Sequence, residues 1–387
     1  MEKNTSPKID YTLISIIILL GITSIFTLYT LEPFLKESFY IKQLVWYIGG
    51  SIVIGVIMLI DYDRLRQVSW ILYGFGVLML VMLQLHIPPG IANEVNGTWG
   101  WFDLGFISLQ PAEFMKVFLI IILAHIIVMH KEKFKAYSMK HDLWLLSKIA
   151  FISFPPIVLI ALQPDFGSAL VLASIVISTI LVSGIQWRII FSLLGLAMLT
   201  IGSLVILYLT FPEQVEQFAE DNKFGHIESR INGWLNPNSN AQGDAYQLIE
   251  NLKAIGSGQL SGKGIGGFEV SHIPERQTDF IFSAIAEQFG FIGSSVLLIL
   301  FFILIYRLIH IGLQSNDPFG TYLITGMIGM FTYQIFQNIG MSINLLPITG
   351  VPLPFISYGG SSTLTYLITI GIVLNIHYRT KVYMFDS

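Results

Sequence analysis

Runs of about twenty apolar residues, set apart by short polar blocks, dominate the chain. Apolar windows centre near Ile18, Ile52, Leu78, Leu123, Val158, Ile175, Met198, Leu297, Met330 and Ile368. Each has the length a helix needs to cross a hydrocarbon core. The spacing therefore predicts about ten transmembrane helices and an all-α polytopic membrane protein. The first run, Thr12 to Leu31, is longer than the apolar part of a cleaved signal and lacks an Ala-x-Ala site, so it is expected to stay as a span.

Two polar stretches interrupt this rhythm. The first outer loop carries Glu94, Trp99, Trp101 and Asp103, which read as residues at the membrane interface. A much longer loop, Phe211 to Thr278, separates the seventh and eighth spans. Loops of that length are usually functional or disordered. This one keeps Trp234, Tyr246, Phe268 and the turn Asn236-Pro237-Asn238, which favours function. Tyr246 to Ile255 has the pattern of a short amphipathic helix lying on the membrane, ended by Gly256. No internal repeat or soluble domain stands out, so residues 1–387 read as one integral membrane domain.

Composition agrees. Hydrophobic residues make up 53% of the chain and charged residues 12%, about half the charge of an average soluble domain. A formal net charge of −4 argues against a nucleic-acid partner. The absence of cysteine excludes disulfides and a thiol nucleophile. Lys and Arg fix the orientation. With the amino terminus inside, Lys3, Lys8, Arg64, Arg66, Lys131, Lys133, Lys135, Lys140, Lys148, Arg188, Arg307, Arg379 and Lys381 are internal, against Lys36 and Lys42 in the short outer loops. The positive-inside rule then places both termini in the cytoplasm and the long loop outside.

The candidate chemistry gathers in His272-Ile-Pro-Glu-Arg-Gln-Thr-Asp-Phe280, directly before the eighth apolar run. Ionisable groups against a membrane are costly and point to function. Asp279 is placed either to cap the eighth helix or to react. Glu275, Arg276 and Thr278 are more than a cap needs, whereas His272 reads as a loop residue. Glu113 and Lys116, three residues apart at the start of the fourth span, share a helix face. They form either an interfacial ion pair or a lysine facing a polar cavity. Asp165 caps the sixth span or contacts a ligand, and His125 reads as a satisfied interior histidine.

The glycine-rich run from Ser257 to Gly267 departs from a P-loop. Ser257 replaces the first glycine, Gly264 follows Lys263, and no strand precedes it. A flexible turn or a simpler phosphate cradle remains. Leu346 to Ser362 holds three prolines and three glycines, which break a helix. Irregular backbone at membrane depth survives only inside protein or beside a water-filled cavity. This stretch is therefore expected to be re-entrant and to line the pocket of Asp279. Ser357 within it lacks the His/Asp pattern of a nucleophile.

Taken in order, Asn96-Gly-Thr-Trp-Gly-Trp101, Gln110-Pro-Ala-Glu-Phe-Met-Lys116, Gln163-Pro-Asp-Phe-Gly167, Ile273-Pro-Glu-Arg-Gln-Thr-Asp-Phe-Ile-Phe282, Gln337-Asn-Ile-Gly-Met341 and Pro352-Leu-Pro-Phe-Ile-Ser-Tyr-Gly-Gly-Ser-Ser362 resemble the SEDS family of bacterial membrane proteins, the FtsW, RodA and SpoVE group. One departure is Asn96-Gly-Thr-Trp99, where many members carry a basic residue before the tryptophan. The resemblance implies a peptidoglycan glycosyltransferase that polymerises lipid II on the outer membrane face. It also implies a class B penicillin-binding protein, a transpeptidase with one transmembrane helix, as partner. The family's catalytic aspartate maps onto Asp279, and its fourth-span acid and lysine onto Glu113 and Lys116. The context of Gln277 to Ser283 and the tail after Tyr383 resemble the elongation branch, RodA.

In that chemistry Asp279 is the expected base, and Lys116, Arg276 and Arg230 the expected partners of the leaving diphosphate. Glu275, Thr278 and Ser357 are further expected contacts. A bound Mg²⁺ or Mn²⁺ is compatible with it, although no spacing demands one. The rival expectations are a lipid II flippase and a non-catalytic scaffold that activates the transpeptidase.

Overall fold

The computed structural model describes residues 9–35, 37–95, 98–105, 107–134, 138–211, 214, 230, 233–235, 244–270 and 273–383. Helices are α1 (Tyr11–Leu31), α2 (Phe39–Leu59), α3 (Asp63–Gln84), α4 (Pro111–Lys133), α5 (Met139–Ala161), α6 (Phe166–Val182) and α7 (Trp187–Thr210). After the long loop come α8 (Asp244–Gly258), α9 (Ile281–Gln314), α10 (Pro318–Ser342) and α11 (Gly360–Tyr383). Every expected span centre falls inside one of these, α8 being the extra helix. Among the described residues, seven helices are long and apolar enough to cross a membrane by length and composition. The others are α6, shorter at 17 residues, and α10 and α11, whose buried Gln334, Gln337, Asn338, Thr365, Thr369 and Asn375 dilute their hydropathy. Polar side chains are tolerated there because neighbouring helices, and not lipid, surround them. The protein is an all-α polytopic membrane protein.

At the centre stands α4, the most buried of those seven helices. It packs against α3, α5, α6, α10 and α11. Small residues permit close approach, as membrane helices require. A Cβ on Gly329 of α10 would lie 2.1 Å from Ser178 Oγ of α6. By contrast, α7 stands apart: Ile189 near its start is buried, while residues 191–200 are all exposed. At one face of the bundle, Arg307 Nε of α9 donates to Asp10 Oδ2 at the head of α1 (2.7 Å), and Arg379 of α11 donates to Asp61 after α2 (3.1 Å). The start of α1 and the end of α11 thus share one side, as the even span count requires.

Two expectations for the outer segments need correction. The loop between α3 and α4, expected outside, is a small antiparallel sheet of β1 (Ala92–Val95), β2 (Thr98–Asp103) and β3 (Ser108–Leu109), in that order. Phe102 and Ala92 pack on Leu83 of α3. Trp99 meets His86 edge-on at 4.1 Å, and Asp103 accepts the amide of Gly105. These residues therefore build a protein fold there, not only a membrane interface. The amphipathic helix exists as α8, but Leu248 and Ala254 pack on Ile273, Phe280, Met341 and Ile348. Its apolar face is covered by protein and not by the bilayer. It also runs past Gly256 to Gly258. Asn236-Pro237-Asn238 and His272 lie outside the described residues.

Candidate functional site

The site is built at the head of α9. Nine residues into this helix, Gly290 takes φ 62°, ψ −159° and breaks the hydrogen-bond ladder. A side chain at that φ is strained, and a Cβ would lie 2.4 Å from Gly262 N. The glycine-rich run fills the break. Lys263 N donates to Glu287 O (2.9 Å), Gly264 N to Gln288 O (3.0 Å), and Phe291 N donates to Gln259 O (2.8 Å). These glycines serve close backbone approach to a kinked helix, which leaves those amides unavailable as a phosphate cradle.

Glu287, the single charge in the apolar run, is the hub of this arrangement and is 0% exposed. One carboxylate oxygen pairs with Arg276 Nη2. The other accepts the amides of Glu269 (2.7 Å) and Val270 (3.2 Å). Arg276 also donates to Val270 O and lies 4.6 Å over the Phe268 ring. A buried ion pair is tolerable when further hydrogen bonds complete it, and this one is largely completed. Arg276, expected to meet a diphosphate, is instead buried in a structural pair.

Between Arg276 and α9 the chain makes a tight turn. Glu275 adopts φ 52°, and its carbonyl accepts the amides of Thr278, Asp279 and Phe280. Thr278 Oγ1 donates to Glu275 Oε2 at 2.9 Å. The N-cap of α9 is Phe280, with no side-chain cap, so Asp279 does not cap the helix. Asp165 does cap α6, accepting Ser168 N at 2.9 Å, and it also accepts Gln110 Nε2 at 3.2 Å.

The re-entrant stretch closes over this turn, as its prolines and glycines lead one to expect. Asn338 Nδ2 of α10 donates to both Asp279 O and Val351 O at 2.8 Å. Ser357 Oγ donates to Thr278 O at 2.5 Å and accepts Leu353 N at 2.8 Å. Tyr358 N donates to Gln277 O. A methyl group on Gly350 would stand 3.4 Å from Asp279 Oδ2. Ser357 is therefore a buried latch between two segments, not an open substrate contact. Asn338 went unsingled in the sequence; its signal was an amide within an apolar span, inside Gln337-Asn-Ile-Gly-Met341.

Asp279 keeps partial exposure while lying among enough protein to lose much of its hydration. Burial pushes its carboxyl up to about 7, and the negative charges of Glu275 and Asp165 add to the rise. The positive charge of Arg230 and a hydrogen bond with Thr278 oppose it. Arg230, Glu275, Thr278 and Asp165 are thus near enough to act on Asp279. Glu113 and Lys116 form a 2.5 Å ion pair with side chains 3% and 1% exposed. The pair lies inside the bundle and not at the interface, with Glu113 Oε2 lacking a partner. His125 Nδ1 is buried with no hydrogen-bond partner, so this histidine is not fully satisfied. Among the described residues, no three Asp, Glu or His side chains are arranged to hold a metal ion.

With this geometry in view, comparison with known proteins decides the family. A family model described as "Cell cycle protein", covering FtsW, RodA and SpoVE, matches residues 7–382. The chain belongs to this family. It is 32% identical to stage V sporulation protein E of Bacillus subtilis, over 97% of this chain and 98% of the relative. It is 30% identical to the probable peptidoglycan glycosyltransferase FtsW of Nitrosomonas europaea, covering 97% and 94%. Peptidoglycan glycosyltransferase MrdB of Escherichia coli is also 30% identical, covering 86% and 85%. Rod shape determining protein RodA of Thermus thermophilus superposes with a TM-score of 0.67 at 25% identity, covering 95% of this chain and 96% of that one. A chain from a peptidoglycan synthase complex gives 0.78 at 24% identity, covering 98% and 99%, and speaks for the fold alone.

Proposed function

We propose that this SEDS-family membrane protein is a peptidoglycan glycosyltransferase that polymerises lipid II at the outer face of the cytoplasmic membrane. The observation that carries the reading is Asp279, a carboxyl titrating near neutrality, locked at the head of a membrane helix and partly open. Relatives named peptidoglycan glycosyltransferase along most of the chain support the reaction class.

The 4-hydroxyl of one disaccharide attacks the anomeric carbon of another carried on a polyprenyl diphosphate. A new C–O bond forms as the bond to the diphosphate oxygen breaks, and the α link becomes β in one inversion. Asp279 takes the hydroxyl proton. A base whose pKa matches the operating pH contributes roughly a hundred- to ten-thousandfold. Arg230, whose charge already reaches Asp279, is the cation placed to offset charge growing on the diphosphate. Glu275 and Thr278 hold the turn and raise or trim the basicity of Asp279. Arg276 and Ser357 act by positioning that turn, and the Glu113–Lys116 pair by holding the α4 side of the bundle.

A Mg²⁺ or Mn²⁺ ion, if bound there, would be held by Glu275, leaving Asp279 free as the base. It would supply further charge neutralisation.

The membrane orientation proposed is both termini cytoplasmic, and the partner a class B penicillin-binding protein with one transmembrane helix. Identity to SpoVE, FtsW and MrdB relatives is alike, so the elongation role rests on the motif from Gln277 to Ser283. Depletion in cells should then give rounding; filaments would reassign it to division. Purified chain and transpeptidase, supplied with lipid II, should make glycan strands that vanish in Asp279→Asn. Transbilayer movement of lipid II without polymer would favour the flippase. Polymer made by the Asn variant would remove Asp279 as the base, and no polymer from either protein would leave the scaffold.

A further inference from the structure

The junction of α4 and α5 holds a cluster of cations that glycosyl transfer does not use. His130, Lys131 and Lys133 lie in the last turn of α4. Basic groups there ordinarily complement the helix carbonyls, and Lys131 is bonded to the Tyr322 hydroxyl at 2.7 Å. Lys148 has no such explanation. It sits nine residues beyond Met139, about 13 Å along α5, past the point where the helix turns apolar at Leu143. Its Nζ meets His130 Nδ1 at 3.3 Å and lies 5.5 Å over Trp144. Among the described residues, no carboxylate pairs with it.

Lys133 is near enough for its charge to act on Lys148. Asp142 is near enough for its charge to act on His130, and its Oδ2 accepts the amide of Gln186. Glu132 is paired with Arg66. Like charges held together in partial burial favour a bound anion.

The helix face says which kind. Lys140, Trp144, Lys148 and Phe151 recur at helical spacing and form one stripe along α5. Trp144 is 53% exposed and Phe151 78%, so apolar surface continues directly below the cations. A soluble phosphate would have no use for that surface, whereas an acyl chain would cover it. Basic pockets between membrane helices recognise anionic headgroups by this combination.

We propose that Lys148, Lys133 and Lys140 bind the phosphate of an anionic phospholipid, with an acyl chain along Trp144 and Phe151. On the proposed orientation this lipid belongs to the cytoplasmic leaflet, opposite the face that carries Asp279.

The test is lipid retention by the full-length protein, extracted from vesicles of mixed phosphatidylglycerol and phosphatidylcholine and read by native mass spectrometry. Wild type should keep phosphatidylglycerol in preference to phosphatidylcholine. Lys148→Met, an apolar replacement suited to a span, should weaken that retention about fivefold, and Lys148→Arg should retain it. Polymer synthesis in phosphatidylcholine alone should be unchanged in both variants. Inorganic phosphate should not displace the lipid. Equal retention of the two lipids by wild type, wild-type preference in Lys148→Met, or binding of inorganic phosphate in place of lipid would each overturn the proposal. Should Lys148→Met fail to fold, Lys133→Gln with the wild-type comparison decides it.

Discussion

Replacing Asp279 with asparagine should move stability and activity in opposite directions, with a pH dependence set by the site. The variant keeps the side chain's shape and removes its charge. In the folded protein the carboxyl titrates near 7 instead of its ordinary 3.8, because burial, Glu275 and Asp165 outweigh Arg230 and Thr278. At about 1.4 kcal/mol per pH unit, ionising it costs the folded state up to ~4 kcal/mol. Between those two values the folded chain binds more protons than the unfolded chain. Wild-type stability therefore falls as pH rises from 3.8 towards about 7 and loses nothing further above that.

Asp279→Asn lacks this penalty, so its advantage is absent below the lower value and greatest above the upper one. Remaining solvent contact trims the figure. Activity follows the other limb. The working base must be unprotonated, so the wild-type rate should rise roughly tenfold between about one pH unit below and one above 7, and the variant should make no polymer. Thermal unfolding of the detergent-purified proteins across pH, paired with strand formation from lipid II, measures both. An Asn variant no more stable than wild type at alkaline pH, beside a flat wild-type rate profile, would show that Asp279 is not desolvated. The reasoning from burial would then fail.

Lys116→Met should strand Glu113 in the bundle and cost about 3–5 kcal/mol. Adding Glu113→Leu should recover most of that loss in unfolding assays, and a double variant no better than the single would refute the buried-pair account. Asn338→Leu should leave the carbonyls of Asp279 and Val351 without their donor, lowering stability by about 1–3 kcal/mol and kcat more than KM; unchanged turnover would separate Asn338 from the site. Gly262→Ala should be far more damaging than Gly264→Ala. Both glycines have positive φ, but a Cβ on Gly262 would lie 2.1 Å from Gln288 O while Gly264 has open space. Similar melting temperatures for the two would contradict the kink contact.

The legible and the hidden parts of this protein divide along a physical line. The spans could be read locally because hydrocarbon offers no hydrogen bonds. Each apolar run of sufficient length must then satisfy its own backbone as a helix. The same rule made Leu346 to Ser362 readable as a re-entrant stretch lining a cavity. The three-stranded sheet between α3 and α4 escaped because aromatic residues serve a membrane interface and a strand equally well.

What residues 273–280 do was beyond local reading. Whether Asp279 caps or reacts, whether Arg276 meets substrate or Glu287, and whether Ser357 is open or latched depend on partners distant along the chain. Ser357 and Thr278 are 79 residues apart. The sequence alone determined an all-α bundle of about ten apolar runs with a cluster of ionisable residues directly before α9. Only tertiary packing decided which of them are sealed in pairs and which stay partly open, because desolvation and charge neighbours are properties of assembled space and not of chain order.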